Sequence, residues 1–192
     1  MQNSDNRIII GISGASGVTI GVTALRMVSE LGLETHLVVT KPGEVTLKEE
    51  MGITVKDICH FATYTHKIND ITACISSGTF KVAGMLIAPC SIKTMSEITY
   101  GHGDNLLARA ADVQLKERRT LVVMPRETPV HAGHLKAMLQ LCEMGAVIMP
   151  PVPAFYTRPA DIDDIVTHLA ARALGFLGVD VQKFVWEGLQ GK

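Results

Sequence analysis

The amino-acid sequence predicts an α/β domain in which a doubly wound, mostly parallel sheet carries helices on both faces. Three observations point there. Strand-length apolar runs alternate with helix-length periodic segments from residue 7 to residue 174. The strands read as unbroken apolar runs, such as Leu121-Val122-Val123-Met124, without period-2 alternation, which is the pattern of strands covered on both sides. The 192 residues fit a single core, since domains commonly run from about 50 to 250 residues. We therefore read 1–192 as one domain, with a polar start at 1–6 and a tail from about 176.

Taken in order, Arg7 to Ser13 is a β-branched run ending in glycine-rich sequence, and Val18 to Leu31 resumes with helical spacing. Thr35 to Thr40 is the second strand. Pro42 to Met51 is the second helix, with its proline in the first turn, where a missing N–H costs nothing. Residues 63–80 are irregular and rich in small and polar side chains, and they read as a long connection, mobile or ligand-dependent. Val82 to Ala88 is a buried strand, after which Ser91 caps a helix reaching about Tyr100. A helix from Asn105 to Arg119, a strand from Leu121 to Met124, a helix from His131 to Met144, a strand from Ala146 to Met149 and a helix from Asp161 to Leu174 complete the pattern.

Composition excludes several function classes. With 47% apolar and 19% charged residues, no apolar run approaches the roughly 20 residues needed to span a bilayer, so no membrane span is expected. The polar start is followed only by Ile8, Ile9 and Ile10, too short for a signal peptide, and a cytoplasmic location is expected. A net charge of −1 gives no long-range attraction to nucleic acid, so an anionic ligand must be held by local positive groups. Cys59, Cys74, Cys90 and Cys142 are scattered, with no C-x-x-C pair and no His/Cys spacing typical of zinc sites; reduced thiols and no metal are expected.

The candidate site residues follow strands. Ser13, Gly14, Ala15, Ser16 and Gly17 lie between the first strand and first helix, where glycines allow close backbone approach and a helix start offers free N–H groups to an anion. The spacing matches neither the dinucleotide fingerprint nor the P-loop, so an ordinary tight turn stays open. Ser91, Ile92, Lys93 and Thr94 repeat the device after a later strand, with plain helix capping as the alternative. Arg109 and Lys116, seven apart, share a helix face and suit either a phosphate clamp or ordinary ion pairs with Asp112. Pro125-Arg126-Glu127-Thr128-Pro129 puts an Arg and a Glu at the carboxyl edge of the sheet, where α/β ligands bind, or forms a surface ion pair. In Pro153-Ala154-Phe155-Tyr156 the aromatics can wall an apolar pocket or simply pack on the core.

Together, Gly14-Ala15-Ser16-Gly17, Pro89-Cys90-Ser91-Ile92-Lys93-Thr94, the stretch Asp104 to Val113, Leu115-Lys116-Glu117-Arg118-Arg119, the Arg126 loop and Pro153-Ala154-Phe155-Tyr156 resemble the UbiX-type flavin prenyltransferases, including the B subunits associated with hydroxyarylic acid decarboxylases. The pieces run in family order from residue 7 to about 175. The departures are residues 63–80 and Ser96-Glu97-Ile98-Thr99, where smaller apolar residues are usual.

The resemblance implies a Rossmann-like, flavodoxin-like domain that takes reduced FMN as substrate, joins dimethylallyl phosphate to its N5 and closes a ring at C6. The product, prenylated FMN, passes to a UbiD-type decarboxylase, and the enzyme assembles as a trimer-based homo-oligomer, often a dodecamer. By the same resemblance Gly14, Ala15, Ser16, Thr40, Ser91, Ile92, Lys93, Thr94 and Arg126 contact FMN. Arg109, Lys116, Arg126, Tyr156 and Arg172 surround the prenyl phosphate, some of them across a subunit boundary, and Ser16, Glu50 and Glu127 move protons. Arg172 and Glu50 also read as solvated helix-surface residues. Two other functions remain open: a non-catalytic FMN-binding subunit of a decarboxylase complex, and an FMN-dependent decarboxylase of the peptidyl-cysteine type. The latter resemblance implies a catalytic His after the first helix, which Val38 to Lys41 does not offer.

Overall fold

The computed structural model describes residues 6–181, so most of the polar start and the end of the tail lie outside the described residues. Six strands form one sheet: β1 (Arg7–Ile12), β2 (Glu34–Val39), β3 (Tyr64–His66), β4 (Gly84–Cys90), β5 (Thr120–Pro125) and β6 (Val147–Ile148). Every pairing is parallel, in the order β3-β2-β1-β4-β5-β6. The helices are α1 (Val18–Glu30), α2 (Lys41–Met51), α3 (Val55–Ile58), α4 (Ile92–Tyr100), α5 (Leu106–Lys116), α6 (Ala132–Glu143) and α7 (Ile162–Gly175).

Alternate side chains of each strand point to opposite faces. Ile8, Ile10 and Ile12 of β1 therefore pack with Leu25 and Val28 of α1 and Leu169 and Leu174 of α7. Ile9, on the other face, joins Val38, Ile87, Met95 of α4, Leu107 of α5 and Leu141 of α6. Both faces bury aliphatic side chains, which explains why the central strands read as continuous apolar runs. The strand order reverses between β1 and β4, and in open parallel sheets the crevice at that reversal, beyond the carboxyl ends of the strands, is where ligands bind.

Three expectations need correction. Residues 63–80 are not a bare connection, because Tyr64–His66 pairs with His36 to Val38 of β2 as the edge strand. Its three residues, two of them exposed, carry no apolar run to betray it. The rest of that segment is tied to α5 and the turn after it: the Ile68 carbonyl accepts from the Leu106 N–H, the Ser76 carbonyl from Arg109 Nε, and the Gly78 and Phe80 carbonyls from Arg119. Secondly, α5 stops at Lys116 because Arg118 adopts a left-handed φ of 55°, which turns Arg119 back toward that segment. Thirdly, β4 runs on through Pro89 to Cys90, which resumes pairing at Pro125 after an irregularity beyond Ile87.

Candidate functional site

The two loops at the reversal are held together by Ser13. Its buried hydroxyl donates to the Pro89 carbonyl at 2.9 Å and accepts from the Ser91 N–H at 2.7 Å, so it bridges the ends of β1 and β4. Ser13 thus positions the site without offering its hydroxyl to a ligand. Gly17, at φ 96°, is the N-cap of α1 and occupies a backbone region that L-residues avoid. At Gly14 the need is space. A Cβ there would lie 2.2 Å from Pro42 Cβ, so its absence admits the first turn of α2.

The start of α1 is not the open anion site that the sequence suggests. Glu50, reaching over from α2, accepts from the Gly17 N–H at 2.9 Å and the Val18 N–H at 3.2 Å. A carboxylate at a helix start is favoured by the unpaired N–H groups and the dipole. The expectation that Glu50 belongs to a solvated acidic face is therefore incomplete: its side chain is exposed, yet its charge is anchored beside Ser16, which sits exposed at the loop tip.

The start of α4 lies across the crevice. Ser91 Oγ accepts from the Thr94 N–H at 3.2 Å and donates to Thr94 Oγ1 at 3.1 Å, so capping is real there. Thr40 caps α2 in the same way, accepting from the Gly43 N–H at 3.1 Å. Gly14, Thr40, Ser91, Lys93 and Thr94 line one cleft of about 180 Å³ at the sheet reversal. Sequence reasoning missed four of its other walls, Ile68, Asn69, Glu97 and Asn105. Ile68 and Asn69 arrive with the segment that follows β3. Glu97 accepts hydrogen bonds from Lys93 and from Asn105 Nδ2, joining α4 to the cap of α5, and its carboxylate holds the Lys93 ammonium above the usual lysine range. Its presence among the departures from the family pattern was the available signal.

Arg126 follows β5 at the carboxyl edge, its N–H bonded to the Cys90 carbonyl at 3.1 Å. Its Nε is buried without a hydrogen-bond partner among the described residues, a state that an acceptor brought by a ligand would relieve. Glu127 beside it is exposed and accepts from the Thr128 N–H at 3.1 Å. Ala15 is held by its N–H to the Ser13 carbonyl, and Ile92 packs partly on the core.

The remaining candidates are not gathered in one cleft of this chain. Arg109 pairs with Asp112 at 2.7 Å, and Lys116 with Glu117 at 2.5 Å. Lys116 opens onto a groove with Thr120 and Val147, at the amino end of the strands, opposite the reversal cleft. Tyr156 and Arg172 line a third cleft of about 540 Å³, with His168 between them. The Tyr156 and His168 rings meet edge to face at 6.4 Å, and burial, with Arg172 adding to it, pushes His168 below the ordinary histidine pKa.

A crevice of hydroxyls and helix starts at the reversal of a parallel sheet, with a cation at its edge, defines a mononucleotide-binding α/β protein. A flavoprotein family model matches residues 1–174. The flavin prenyltransferase UbiX of Neisseria meningitidis serogroup B is 50% identical over 184 residues, covering 95% of this chain and 97% of that protein. Among solved structures, AnUbiX in complex with FMN and dimethylallyl pyrophosphate superposes with a TM-score of 0.93 at 42% identity, over 95% of this chain and 97% of that one. A dodecameric FMN-dependent UbiX-like decarboxylase from Escherichia coli O157:H7 gives 0.91 at 43%, over 95% and 100%. The chain belongs to the flavoprotein family and, within it, to the UbiX-type flavin prenyltransferases. Among the described residues no helix is long and apolar enough to cross a membrane.

Proposed function

We propose that this chain transfers the dimethylallyl group of dimethylallyl phosphate to reduced FMN, at N5 and then C6, yielding prenylated FMN for a UbiD-type aromatic acid decarboxylase. The observation that carries the reading is the convergence of Gly14, Thr40, Ser91, Lys93 and Thr94 on one cleft at the sheet reversal. These residues suit FMN, because hydroxyls and helix-start N–H groups meet a phosphate while Ile68 gives the cleft an apolar wall. The unpartnered Arg126 Nε at the same edge of the sheet supports an anionic ligand.

Reduced FMN supplies the nucleophile. Breaking the allylic C–O bond develops positive charge on carbon and negative charge on the leaving phosphate. In this reading Arg126, Arg109, Lys116 and Arg172 hold that phosphate, and Tyr156 donates to it and lends the allyl cation its ring face. Ser16 and the neighbouring Glu50 carboxylate, with Glu127 beside Arg126, hold or move protons at the reacting flavin and the departing phosphate.

Arg109, Lys116 and Arg172 do not line the reversal cleft, so the complete prenyl site is proposed to form between copies in a homo-oligomer, a dodecamer by analogy with the Escherichia coli neighbour. The exposure of Leu135 and Leu139 on α6, and of Val152 and Phe155 before α7, supports such assembly. A cytoplasmic location accords with this reading.

The test mixes purified protein, reduced FMN and dimethylallyl phosphate under anaerobic conditions and weighs the flavin. A flavin heavier by one prenyl unit is expected. Unmodified flavin at full occupancy would favour a carrier subunit, and product from dimethylallyl diphosphate alone would correct the donor.

A further inference from the structure

Away from the reversal cleft, three metal-ligating side chains converge on the face of the sheet that α5 covers. His36 sits in the middle of β2, His66 ends β3 and Cys74 opens a single 3-10 turn, Cys74–Ser76. His36 Nδ1 and His66 Nε2 are 2.9 Å apart, Cys74 Sγ is 4.0 Å from His36 Nδ1, and all three donor atoms lie within 4.8 Å of one another. Spacings of 30 and 8 residues hid this group in the sequence, because β3 itself was invisible there.

We propose that His36, His66 and Cys74 form a binding site for one borderline-soft divalent ion of the zinc type. A tetrahedral Zn²⁺ with Zn–N of about 2.0–2.1 Å and Zn–S of about 2.3 Å separates its ligand atoms by roughly 3.3 Å between nitrogens and 3.6 Å between nitrogen and sulfur. Two of the observed separations differ from these values by about 0.4 Å, one shorter and one longer, and the third, between His66 Nε2 and Cys74 Sγ, is within 4.8 Å, so the sulfur has to move inward to bind. The two imidazole planes differ by only 4°, with centroids 5.2 Å apart, so the rings meet edge to edge through an N–H···N bond. Taking up the ion tilts the rings, moves the His66 proton to its other nitrogen, and draws in the Cys74 sulfur as its thiol proton leaves to solvent. Cys74 is exposed and His66 half-buried, which leaves an entry path and a fourth position for water.

The surroundings carry a second feature of a built metal site. His36 Nε2 lies 3.1 Å from Glu34 Oε1, and Arg7 Nε holds the same oxygen at 2.9 Å. A carboxylate on the far nitrogen selects the tautomer whose other nitrogen presents a lone pair, and it orients the ring. Tyr64 stacks on His36, and Phe80 meets it edge-on, which limits how far the ring can swing. The ion would clip β2, the edge strand and the 3-10 turn together. Ile68 and Asn69, two and three residues beyond His66, line the reversal cleft, so the clip would steady one wall of that cleft.

The experiment uses the whole oligomeric protein, reduced, stripped with a chelator and desalted, and titrates it with Co²⁺ and then with Zn²⁺. One Co²⁺ per chain is expected, with a thiolate-to-metal charge-transfer band that Zn²⁺ abolishes. Cys74→Ser should lose the band, and His66→Gln should weaken Zn²⁺ binding at least tenfold. Glu34→Gln should weaken it by about 10- to 100-fold, as loss of an orienting carboxylate does. Cys59 and Cys142 are also exposed, so a band that survives Cys74→Ser assigns the metal elsewhere and overturns the site. Zn²⁺ affinity unchanged in both ligand variants means an adventitious ion only. No binding at all also overturns it. A thermal melt of metal-free Cys74→Ser matching that of the metal-free unsubstituted protein shows that the variant is folded.

Discussion

The carboxyl edge at β1 and β4 and the outer faces of α5 and α7 hold the two halves of the expected site, and they are built in opposite ways. At the edge, one buried hydroxyl, that of Ser13, locks two loops that are 76 residues apart in sequence, and three helix starts fall around one small cleft. On α5 and α7 the cations stand apart, and Arg109 and Lys116 are already paired with acids of their own helix or its end. In the first half, sheet topology alone brings Gly14, Thr40, Ser91, Lys93 and Thr94 to one cleft within a single chain. The second is a set of loosely held charges, and exposed pairs of this sort contribute only tenths of a kcal/mol, so they can be redirected cheaply when a phosphate or another copy arrives.

Substitution sharpens that contrast. The largest effect is expected at the two carboxylates proposed to handle protons: Glu127→Gln and Glu50→Gln should lower single-turnover rates by about 10²- to 10⁴-fold with both ligands still bound. Wild-type rates in both variants would remove the role. Because Glu50 anchors the start of α1, its amide is also expected to lower the melting temperature slightly, whereas Glu127→Gln is not.

Next come the hydroxyls of the edge. Ser91→Val removes a cap and a donor together, and Thr94→Val only a hydroxyl. Each should weaken FMN binding by roughly 1–3 kcal/mol, read by fluorescence titration. Ser91→Asp separates the two functions, because Asp caps as well as Ser but opposes a phosphate. It should keep the melting temperature and lose FMN. If FMN affinity follows stability across these variants, capping is the whole role of Ser91.

On the other half, Lys116→Ala, Tyr156→Phe and Arg172→Ala should raise the KM for dimethylallyl phosphate about fivefold or more, the equivalent of roughly 1 kcal/mol, while sparing FMN binding. Loss of FMN with normal donor kinetics would erase the distinction between the two regions.

The smallest effect concerns His168, beside Tyr156 and Arg172. Its folded pKa lies below its ordinary 6.5, so protonation favours the unfolded chain. Its contribution to stability is full above pH 6.5 and falls as the pH drops from there toward the depressed folded value. Thermal melts between pH 7.5 and 5.5 should therefore show a shallower loss for His168→Gln than for the unsubstituted protein.

Much of this architecture was legible in the chain. β1, β2, β5, α4 and α7 fall within a residue or two of expectation, because doubly buried strands and capped helices leave local marks such as Ile8-Ile9-Ile10, Ser91 and Asp161. The short strand β3 left none, since a three-residue edge strand is held by its neighbour's backbone and not by its own apolar pattern. The Gly-rich loop is legible as the turn between β1 and α1, but the carboxylate that caps the start of α1 is not, because Glu50 lies on another helix 33 residues away.

What the sequence by itself determined is the alternation of strands and helices, the carboxyl-edge location of Gly14, Ser91 and Arg126, and the family that those motifs mark. These depend on periodicity, capping and turn chemistry, which act over a few neighbouring residues. Only the tertiary structure decided that Ser13 is a structural bridge, that Glu50 closes the start of α1, that Lys116 faces the opposite end of the sheet from Ser91, and that His36, His66 and Cys74 meet. Each of those facts is a distance between residues on different elements, set by strand order and helix packing, and no local pattern of residues records it.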